Sequence, residues 1–416
     1  MKTKPWIALL GMFTVSCAST IDVKDIQPLS ANATYSPSSE ETLIFKRSAR
    51  LHQQFLNKGL IHKEKSANQY LQKLAAQVTP QFTHPQISLQ FFILKEASVN
   101  AFALPNGNIY VNAGLIAKFE NDAQLISVLA HEVAHVTQRH GLRSLVERKN
   151  TIVSSHVADL MLFGTGFVYY ATLNELSRFS RDMENEADAV GLDYFAKTEH
   201  PIQQSVRVLE LLEEESHGKE DFSIWSTHPQ TQTRIENLSK LHSKYTDSDS
   251  LSGPVSKPNE QDNSSYLDFR APIAKKAIQI RLRYKQYELA ERAINNELQF
   301  NDADPHLHYL LGEVYRLKAS DSESYAREHA WLNDIDLDDA TLFVASLNQD
   351  EMYSKASQHY RQAAVLQANY ADVLKGQGLL ALNQGEKDMA KMYLTQYIQS
   401  DSISDRRYIQ SLLNNL

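Results

Sequence analysis

The sequence predicts an α+β protein that is mostly α, with a small β-hairpin or sheet in its first half and helical repeats in its second half. Residues 125–141 predict a long buried helix, because apolar residues recur there at helical spacing and no proline interrupts them. Just before it, a Pro-Asn-Gly-Asn turn separates two short apolar runs within 99–115, which is typical of a β-hairpin. Beyond residue 269, small residues recur at a spacing that is typical of stacked helix pairs.

Length and composition fit an ordinary globular protein of two or three domains. The chain has 416 residues, of which 42% are hydrophobic and 22% are charged. A net charge of -8, with no dense Lys/Arg cluster, gives no support for nucleic-acid binding. The predicted units are a signal peptide (1–17), a tether (18–40), a first folded domain (41–243), a polar linker (244–268) and helical repeats (269–416).

The first residues predict export. Lys2 and Lys4 precede an apolar run at 6–15, and the single cysteine, Cys17, follows it. A small residue before a lone cysteine resembles a bacterial lipobox, which implies cleavage before Cys17 and its lipidation, although Thr14 stands where that motif has Leu. The alternative is an ordinary signal peptide that contains a cysteine. Lipidation would tether the protein to a membrane surface without spanning the membrane.

The elements that follow can be placed in order. Residues 41–77 have helical periodicity, and 87–94 read as a strand. The hairpin at 99–115 either offers an edge strand to an extended peptide or only closes the core. An apolar run at 157–173 is shorter than the roughly 20 residues of a membrane span, so it predicts a core helix or an apolar loop, with a membrane-dipping segment as the alternative.

The predicted helix at 125–141 carries the pattern His-Glu-x-x-His. His131 and His135 lie four residues apart on one helix face, so both imidazoles can reach one tetrahedral Zn²⁺. Glu132 is then placed beside the metal, where it can take a proton from water. Asn121 and Gln124 have the spacing of a capping box at the helix start. The alternative is a chance match with two hydrogen-bonded core histidines.

A second chemical stretch lies at 176–195, where four acidic residues cluster on a predicted helix. Such a cluster is usually a solvated face, but a zinc enzyme needs a third protein ligand and an open position. Glu184 and Asp188 are four residues apart and can share one face. Glu184 could then bind the metal while Asp188 supports an imidazole N–H.

These two motifs together resemble the CAAX prenyl endoprotease and heat-shock protease HtpX family of zinc metallopeptidases. The family's second motif is Ser-Arg-x-x-Glu-x-x-Ala-Asp, and this chain has Ser-Arg-Asp-Met-Glu-Asn-Glu-Ala-Asp at 180–188. The resemblance implies a gluzincin-type metallopeptidase domain with one Zn²⁺ per chain, in which Glu184 and not Glu186 is the third ligand. A metzincin is disfavoured, because the metzincin pattern requires Gly at 138 and His at 141, where this chain has Gln138 and Gly141. His140 is therefore interpreted as structural.

A third segment, Thr-His-Pro followed by Arg-Ile, also resembles the family. In its periplasmic branch the histidine equivalent to His228 can approach the zinc and block the open position. The alternative is a surface histidine that starts a helix. Arg234 either stabilises the oxyanion or pairs with a nearby carboxylate, and the sequence does not choose between these roles.

The C-terminal part predicts degenerate tetratricopeptide-like repeats, with a generic helical bundle as the alternative. Ala356 and Ala390 are 34 residues apart, and two further pairs of small residues share an offset of 22 residues. The longer spacing in between predicts an insertion at 318–351. The predicted small positions are Ala290, Gly312, Ala356, Gly378 and Ala390.

The resemblance implies an exported zinc endopeptidase that acts in cell-envelope protein quality control. Its implied substrates are unfolded or stalled outer-membrane proteins, with the repeats docking to the beta-barrel assembly machinery. The implied location is the periplasm, at the outer membrane if Cys17 is lipidated. One alternative is a chaperone or assembly scaffold whose zinc site is gated by His228. Another is a zinc hydrolase that acts on something other than peptide.

Overall fold

The computed structural model describes residues 22–29, 36–79, 87–151, 179–216, 228, 232–242, 244–245, 260–400, 403 and 405–416. The predicted signal peptide with Cys17, the apolar run at 157–173 and most of the predicted linker lie outside these residues. Within them, no helix is both long enough and apolar enough to cross a membrane.

The first part of the chain combines helices with one small sheet, as predicted. A short 3₁₀ turn at Val23–Asp25 comes first. The other elements are α1 (Ser39–Asn57), α2 (Lys65–Ala75), β1 (Gln90–Leu94), β2 (Ala101–Ala103), β3 (Asn108–Asn112), α3 (Ala113–Lys118), α4 (Asp122–Thr137), α5 (His140–Thr151), α6 (Arg181–Phe195), α7 (Gln204–Ser216) and α8 (Gln232–His242).

The sheet has the order β1-β3-β2, with β3 in the middle and β2 at an edge. The predicted hairpin is confirmed, since β2 and β3 are antiparallel and Ala101 is opposite Val111. The strand predicted at 87–94 is shorter than expected and pairs with β3 in parallel, with Gln90 opposite Asn108. All residues of β2 and β3 are buried, so this sheet lies inside the core and supports α4.

Helix α4 begins at the predicted cap. Asn121 Oδ1 accepts a hydrogen bond from the Gln124 backbone N–H at 3.1 Å. The Gln124 side chain reaches back to the N–H of Glu120 at 2.8 Å, one residue before the position of a standard capping box. These bonds satisfy amides that the helix itself leaves without partners.

Helix α4 ends at Thr137, four residues before Gly141, because Arg139 adopts a left-handed conformation with φ of 56°. Glu41 on α1 holds that residue in place. Arg139 Nε and Nη2 donate to the two Glu41 carboxylate oxygens at 3.0 and 2.6 Å. The pair is largely buried, so it can offset the strain of a left-handed non-glycine residue. The chain therefore turns early, and His140 begins a new helix.

The described residues of the second part of the chain form helices joined by short loops. Its helices are α9 (Glu260–Arg283), α10 (Tyr287–Leu298), α11 (Pro305–Ser320), α12 (Ser322–Asn333), α13 (Leu337–Ser346), α14 (Gln349–Leu366), α15 (Ala371–Asn383), α16 (Lys387–Ile398) and α17 (Arg406–Asn414). Helix α11 packs against α14, while α12 and α13 pack on each other. The α12–α13 hairpin thus lies within the insertion predicted at 318–351. Assignment of the remaining pairs as tetratricopeptide repeats stays a prediction.

Helix α9 begins inside the predicted linker. Polar composition suggested a linker to residue 268, but Tyr266 is fully buried and donates a hydrogen bond to the Ile116 carbonyl at 3.1 Å. Phe269 and Ile273 follow at helical spacing and join the same hydrophobic core as the first domain. Tertiary burial therefore decides the structure of this segment.

Two glycines enclose the ring of Tyr360 on α14. A Cβ atom at Gly312 on α11 would lie 2.5 Å from the ring, and one at Gly376 on α15 would lie 2.6 Å from it. The ring is fully buried, and its hydroxyl donates to Glu313. Gly312 was predicted as a small position, whereas Gly376 was not.

We expect Gly312→Ala to destabilise the protein by about 1–3 kcal/mol, because the added methyl group overpacks a buried ring. Urea unfolding followed by circular dichroism measures the change. In a protein that already carries Tyr360→Leu, adding Gly312→Ala should cost much less stability, because the ring that the methyl group overpacks is absent. A Gly312→Ala protein that is more stable than the parent, as helix propensity alone would give, contradicts this packing.

Candidate metal centre

Helices α4 and α6 bring the two predicted motifs together through a close backbone contact. A Cβ atom at Gly191 on α6 would lie 2.9 Å from the Cα atom of His131 on α4. Only glycine fits this approach without moving a helix. The contact places Glu184 and Asp188, earlier on α6, beside the imidazole of His131.

Four side chains converge on one point. The possible ligand atoms of His131, His135, Glu184 and His228 all lie within 4.8 Å of one another. The two Nε2 atoms of His131 and His135 are 2.9 Å apart, and each lies 3.5 Å from a different oxygen of Glu184. Tetrahedral zinc with ligands at 2.0–2.1 Å requires ligand atoms about 3.4 Å apart, so this donor set fits a zinc ion.

The charge states of two of these groups also suit a metal. Burial would raise the pKa of Glu184, but the neighbouring His228 and Arg234 lower that pKa well below its usual value. Burial lowers the pKa of His135 well below its usual value. Glu184 is therefore ionised and His135 neutral at pH 7, which are the forms that bind zinc.

Arg234 connects the two carboxylates of α6. Its Nε and Nη2 atoms donate to the two oxygens of Asp188, each at 2.7 Å, and its Nη1 atom lies 2.9 Å from Glu184 Oε2. Asp188 in turn lies 3.0 Å from His131 Nδ1. Of the two roles that the sequence left open for Arg234, the geometry supports carboxylate pairing. Asp188 lies where it can support the His131 imidazole, and that role stays a prediction.

His140 contacts the cluster from outside. Its Nδ1 atom lies 2.9 Å from His135 Nδ1, and its Nε2 atom lies 3.3 Å from Glu186 Oε2. Arg143 Nη1 donates to the same Glu186 oxygen at 2.6 Å. Burial lowers the pKa of His140 to about 4, so this imidazole is neutral at pH 7. Neither His140 nor Glu186 belongs to the four converging groups.

Glu132 lies beside the cluster and not within it. Its side chain is buried, and its Oε2 atom has no hydrogen-bond partner among the described residues. Burial raises its pKa, and the nearby His228 and His131 oppose that rise. A buried carboxylate with a raised pKa and an unpartnered oxygen suits a group that accepts a proton.

His228 is buried against both the cluster and the sheet. Its Nδ1 atom lies 3.1 Å from Glu184 Oε1, and its Nε2 atom lies 3.2 Å from the carbonyl oxygen of Ala101 on the edge strand β2. The same Nε2 atom is 3.5 Å from Glu132 Oε1. His228 therefore contacts one possible ligand, the adjacent carboxylate and the edge strand together.

Two contributors were not identified from the sequence. The ring of Phe179 stacks on that of His135 with centroids 4.0 Å apart and planes inclined by 17°. Gly191 carries no motif signal, since its role depends on a contact with another helix. His131 and Glu132 line a cleft beside the cluster. The lining of this cleft also has an aliphatic wall, which includes Val128, Leu192, Val208, Leu209, Leu212 and Leu238.

Comparison with known proteins agrees with this geometry. Residues 62–242 match the family described as Peptidase family M48. The chain is 25% identical over 242 residues to the beta-barrel assembly-enhancing protease of Escherichia coli (strain K12), covering 54% of this chain and 48% of that protein. It is 32% identical over 158 residues to the mitochondrial metalloendopeptidase OMA1 of Saccharomyces cerevisiae, covering 35% of this chain and 44% of that protein.

A putative beta-barrel assembly-enhancing protease of Vibrio cholerae is 26% identical over 191 residues, covering 43% of this chain and 40% of that protein. The chain thus spans about half the length, or less, of the curated relatives it matches. The matched region contains both zinc motifs and the residues that converge in the structure. Residues 62–242 therefore form a domain of peptidase family M48.

Proposed function

We propose that this chain is a zinc-dependent endopeptidase, with His131, His135 and Glu184 as the metal ligands and Glu132 as the general base. M48 metallopeptidases use zinc. The observation that carries the proposal is the position of Glu132. Its buried Oε2 atom has no partner in the described part of the chain and lies next to a set of donors with zinc-like spacing.

Bound zinc would supply a Lewis acid that polarises the scissile carbonyl and lowers the pKa of water. Glu132 takes the proton from the attacking water on its Oε2 atom and then returns it to the leaving amine. Asp188 keeps the His131 ring oriented through its Nδ1 atom, and Arg234 holds Asp188 through two hydrogen bonds.

An extended peptide is the substrate form that the fold suits best. Strand β2 is at the edge of the sheet, and the carbonyl of Ala101 faces the site, where His228 contacts it. A peptide added beside β2 would run past Glu132 and along the aliphatic wall of the cleft. This geometry favours a peptidase over a zinc hydrolase that acts on other substrates.

The wider role is proposed from the relatives and from the sequence. The beta-barrel assembly-enhancing proteases support a function in outer-membrane protein assembly. We propose that the substrates are unfolded or stalled outer-membrane proteins and that the C-terminal helices dock to the assembly machinery. From the predicted export signal we propose that the protein lies in the periplasm, with a lipid anchor at Cys17 as part of the same proposal.

A gated scaffold is the second candidate, and the position of His228 favours it. The imidazole contacts Glu184, Glu132 and the edge strand, so it occupies space that a substrate would need. If the protein is a gated scaffold, its site cleaves little peptide until His228 moves away from the cluster.

We expect Glu132→Gln to abolish cleavage of unfolded casein, a loss of about 10²–10⁴-fold or more, because the amide cannot accept the proton. Zinc content, measured by atomic absorption, should match that of the parent, since Glu132 is not among the ligands. Cleavage by both proteins at equal rates would refute the role of Glu132.

For His228→Ala we expect casein cleavage to rise by on the order of tenfold, about 1.4 kcal/mol in barrier, because the edge strand and Glu132 become accessible. His200→Ala, which removes a half-buried histidine outside the site, is the matched control. If the activity of His228→Ala falls while zinc stays bound, His228 assists catalysis and the gated-scaffold proposal is wrong.

We expect Gly191→Ala to weaken zinc binding by about tenfold or more, because the methyl group must push α6 away from the backbone of His131. Competition with a chromogenic chelator gives the affinity. Asp193→Ala, an exposed change on the same helix, should leave it unaltered. Parent-like zinc affinity in Gly191→Ala would show that the close contact does not set the site geometry.

A further inference from the structure

The two histidines of α4 use their outer nitrogen atoms differently. Both point Nε2 toward the cluster. His131 directs Nδ1 at the carboxylate of Asp188, at 3.0 Å, so its Nδ1 must carry the hydrogen. His135 directs Nδ1 at another imidazole, that of His140, at 2.9 Å. Because an imidazole nitrogen can donate or accept, this contact alone does not decide which ring carries the hydrogen.

The contact between His140 and Glu186 decides which imidazole donates the hydrogen. His140 Nε2 lies 3.3 Å from Glu186 Oε2, and an ionised carboxylate can only accept. Arg143 donates to the same oxygen at 2.6 Å and keeps the carboxylate in place. His140 therefore carries a hydrogen on Nε2. The 2.9 Å contact between the two Nδ1 atoms holds one hydrogen, and only its donation by His135 leaves the Nε2 lone pair of His135 facing the cluster, with His140 Nδ1 as the acceptor.

The opposite arrangement is incompatible with a metal. If His140 carried its hydrogen on Nδ1, the Nδ1 atom of His135 would have to accept it. The hydrogen of His135 would then sit on Nε2, pointing at the cluster. His135 and His140 are only 2% and 0% exposed, so solvent does not offer either ring another partner.

We propose that His140 and Glu186 are positioning residues that hold His135 in its metal-binding tautomer, so that zinc affinity depends on a hydrogen-bond acceptor at the position of His140 Nδ1. This rests on the zinc site proposed above. It assigns a role to a histidine that the sequence analysis interpreted as structural, and to an acidic residue that it excluded as a ligand.

Three substitutions of His140 separate this role from simple space filling. In His140→Asn the amide oxygen can take the place of Nδ1, whereas in His140→Gln the amide takes the place of Nε2. His140→Leu supplies neither group. We expect the Asn variant of the full chain to bind zinc within a few-fold of the parent, and the Gln and Leu variants to bind about 10–100-fold more weakly. Competition with a chromogenic chelator measures the affinity.

Thermal unfolding of the zinc-free variants checks that each one folds. Equal zinc affinities for the Asn and Gln variants would overturn the proposal, because a purely structural role does not distinguish the two amide positions. Glu186→Ala tests the outer contact and should weaken zinc binding, while Asp182→Ala, an exposed acid on the same helix, should not. If Glu186→Ala binds zinc as tightly as the parent, Glu186 is not a positioning residue for His135.

A direct spectroscopic reading does not depend on any variant binding zinc. Nitrogen-15 correlation spectra of histidine-labelled, zinc-free protein distinguish the two tautomers, and the His140→Asn spectrum identifies the signals of His140. We expect the Nε2–H form at His140, and an Nδ1–H form would refute the proposal. If the parent fails to bind zinc but His140 shows the Nε2–H form, the zinc site is wrong while the tautomer assignment stands.

Discussion

The ionic contact of Arg234 with Asp188 and Glu184 is the interaction on which the site depends. Two carboxylates lie side by side on α6 with their side chains almost wholly buried, an arrangement that is unfavourable without cations. One guanidinium bonds to both, and its planar shape gives Asp188 two parallel hydrogen bonds. Because Arg234 belongs to α8, this contact also joins α8 to α6 and so to the histidines of α4.

The sequence predicted the parts of this site that have local spacing. A helical repeat places His131 and His135 on one face, and the same rule applies to Glu184 and Asp188. Residues whose role comes from contact between distant segments had no such signal. Gly191 matters because another backbone passes close to it, and Phe179 matters because it stacks on His135. The choice between two roles for Arg234 likewise needed the fold.

The segment before the matched family domain also shapes the site. Glu41 lies on α1, outside residues 62–242, yet its carboxylate pairs with Arg139 at the end of α4. That pair stabilises the left-handed turn after α4, which in turn aims the next residue, His140, back at His135. A motif of five residues is therefore not a self-contained site. Its second histidine owes its orientation to a helix almost a hundred residues earlier in the chain.

The helical tail is attached to the first domain by specific polar bonds as well as by the hydrophobic core. Helix α3 has six residues, so its last carbonyl groups have no partner within the helix. Tyr266 and Arg270 of α9 donate to the carbonyls of Ile116 and Ala117, and Arg281 donates to that of Ala97. Helix α9 thus caps α3 and covers the segment that leads from the sheet to α4. The linker predicted from composition ends at residue 268, but the packing against the first domain begins before that residue. Buried backbone carbonyls must find donors wherever the chain supplies them.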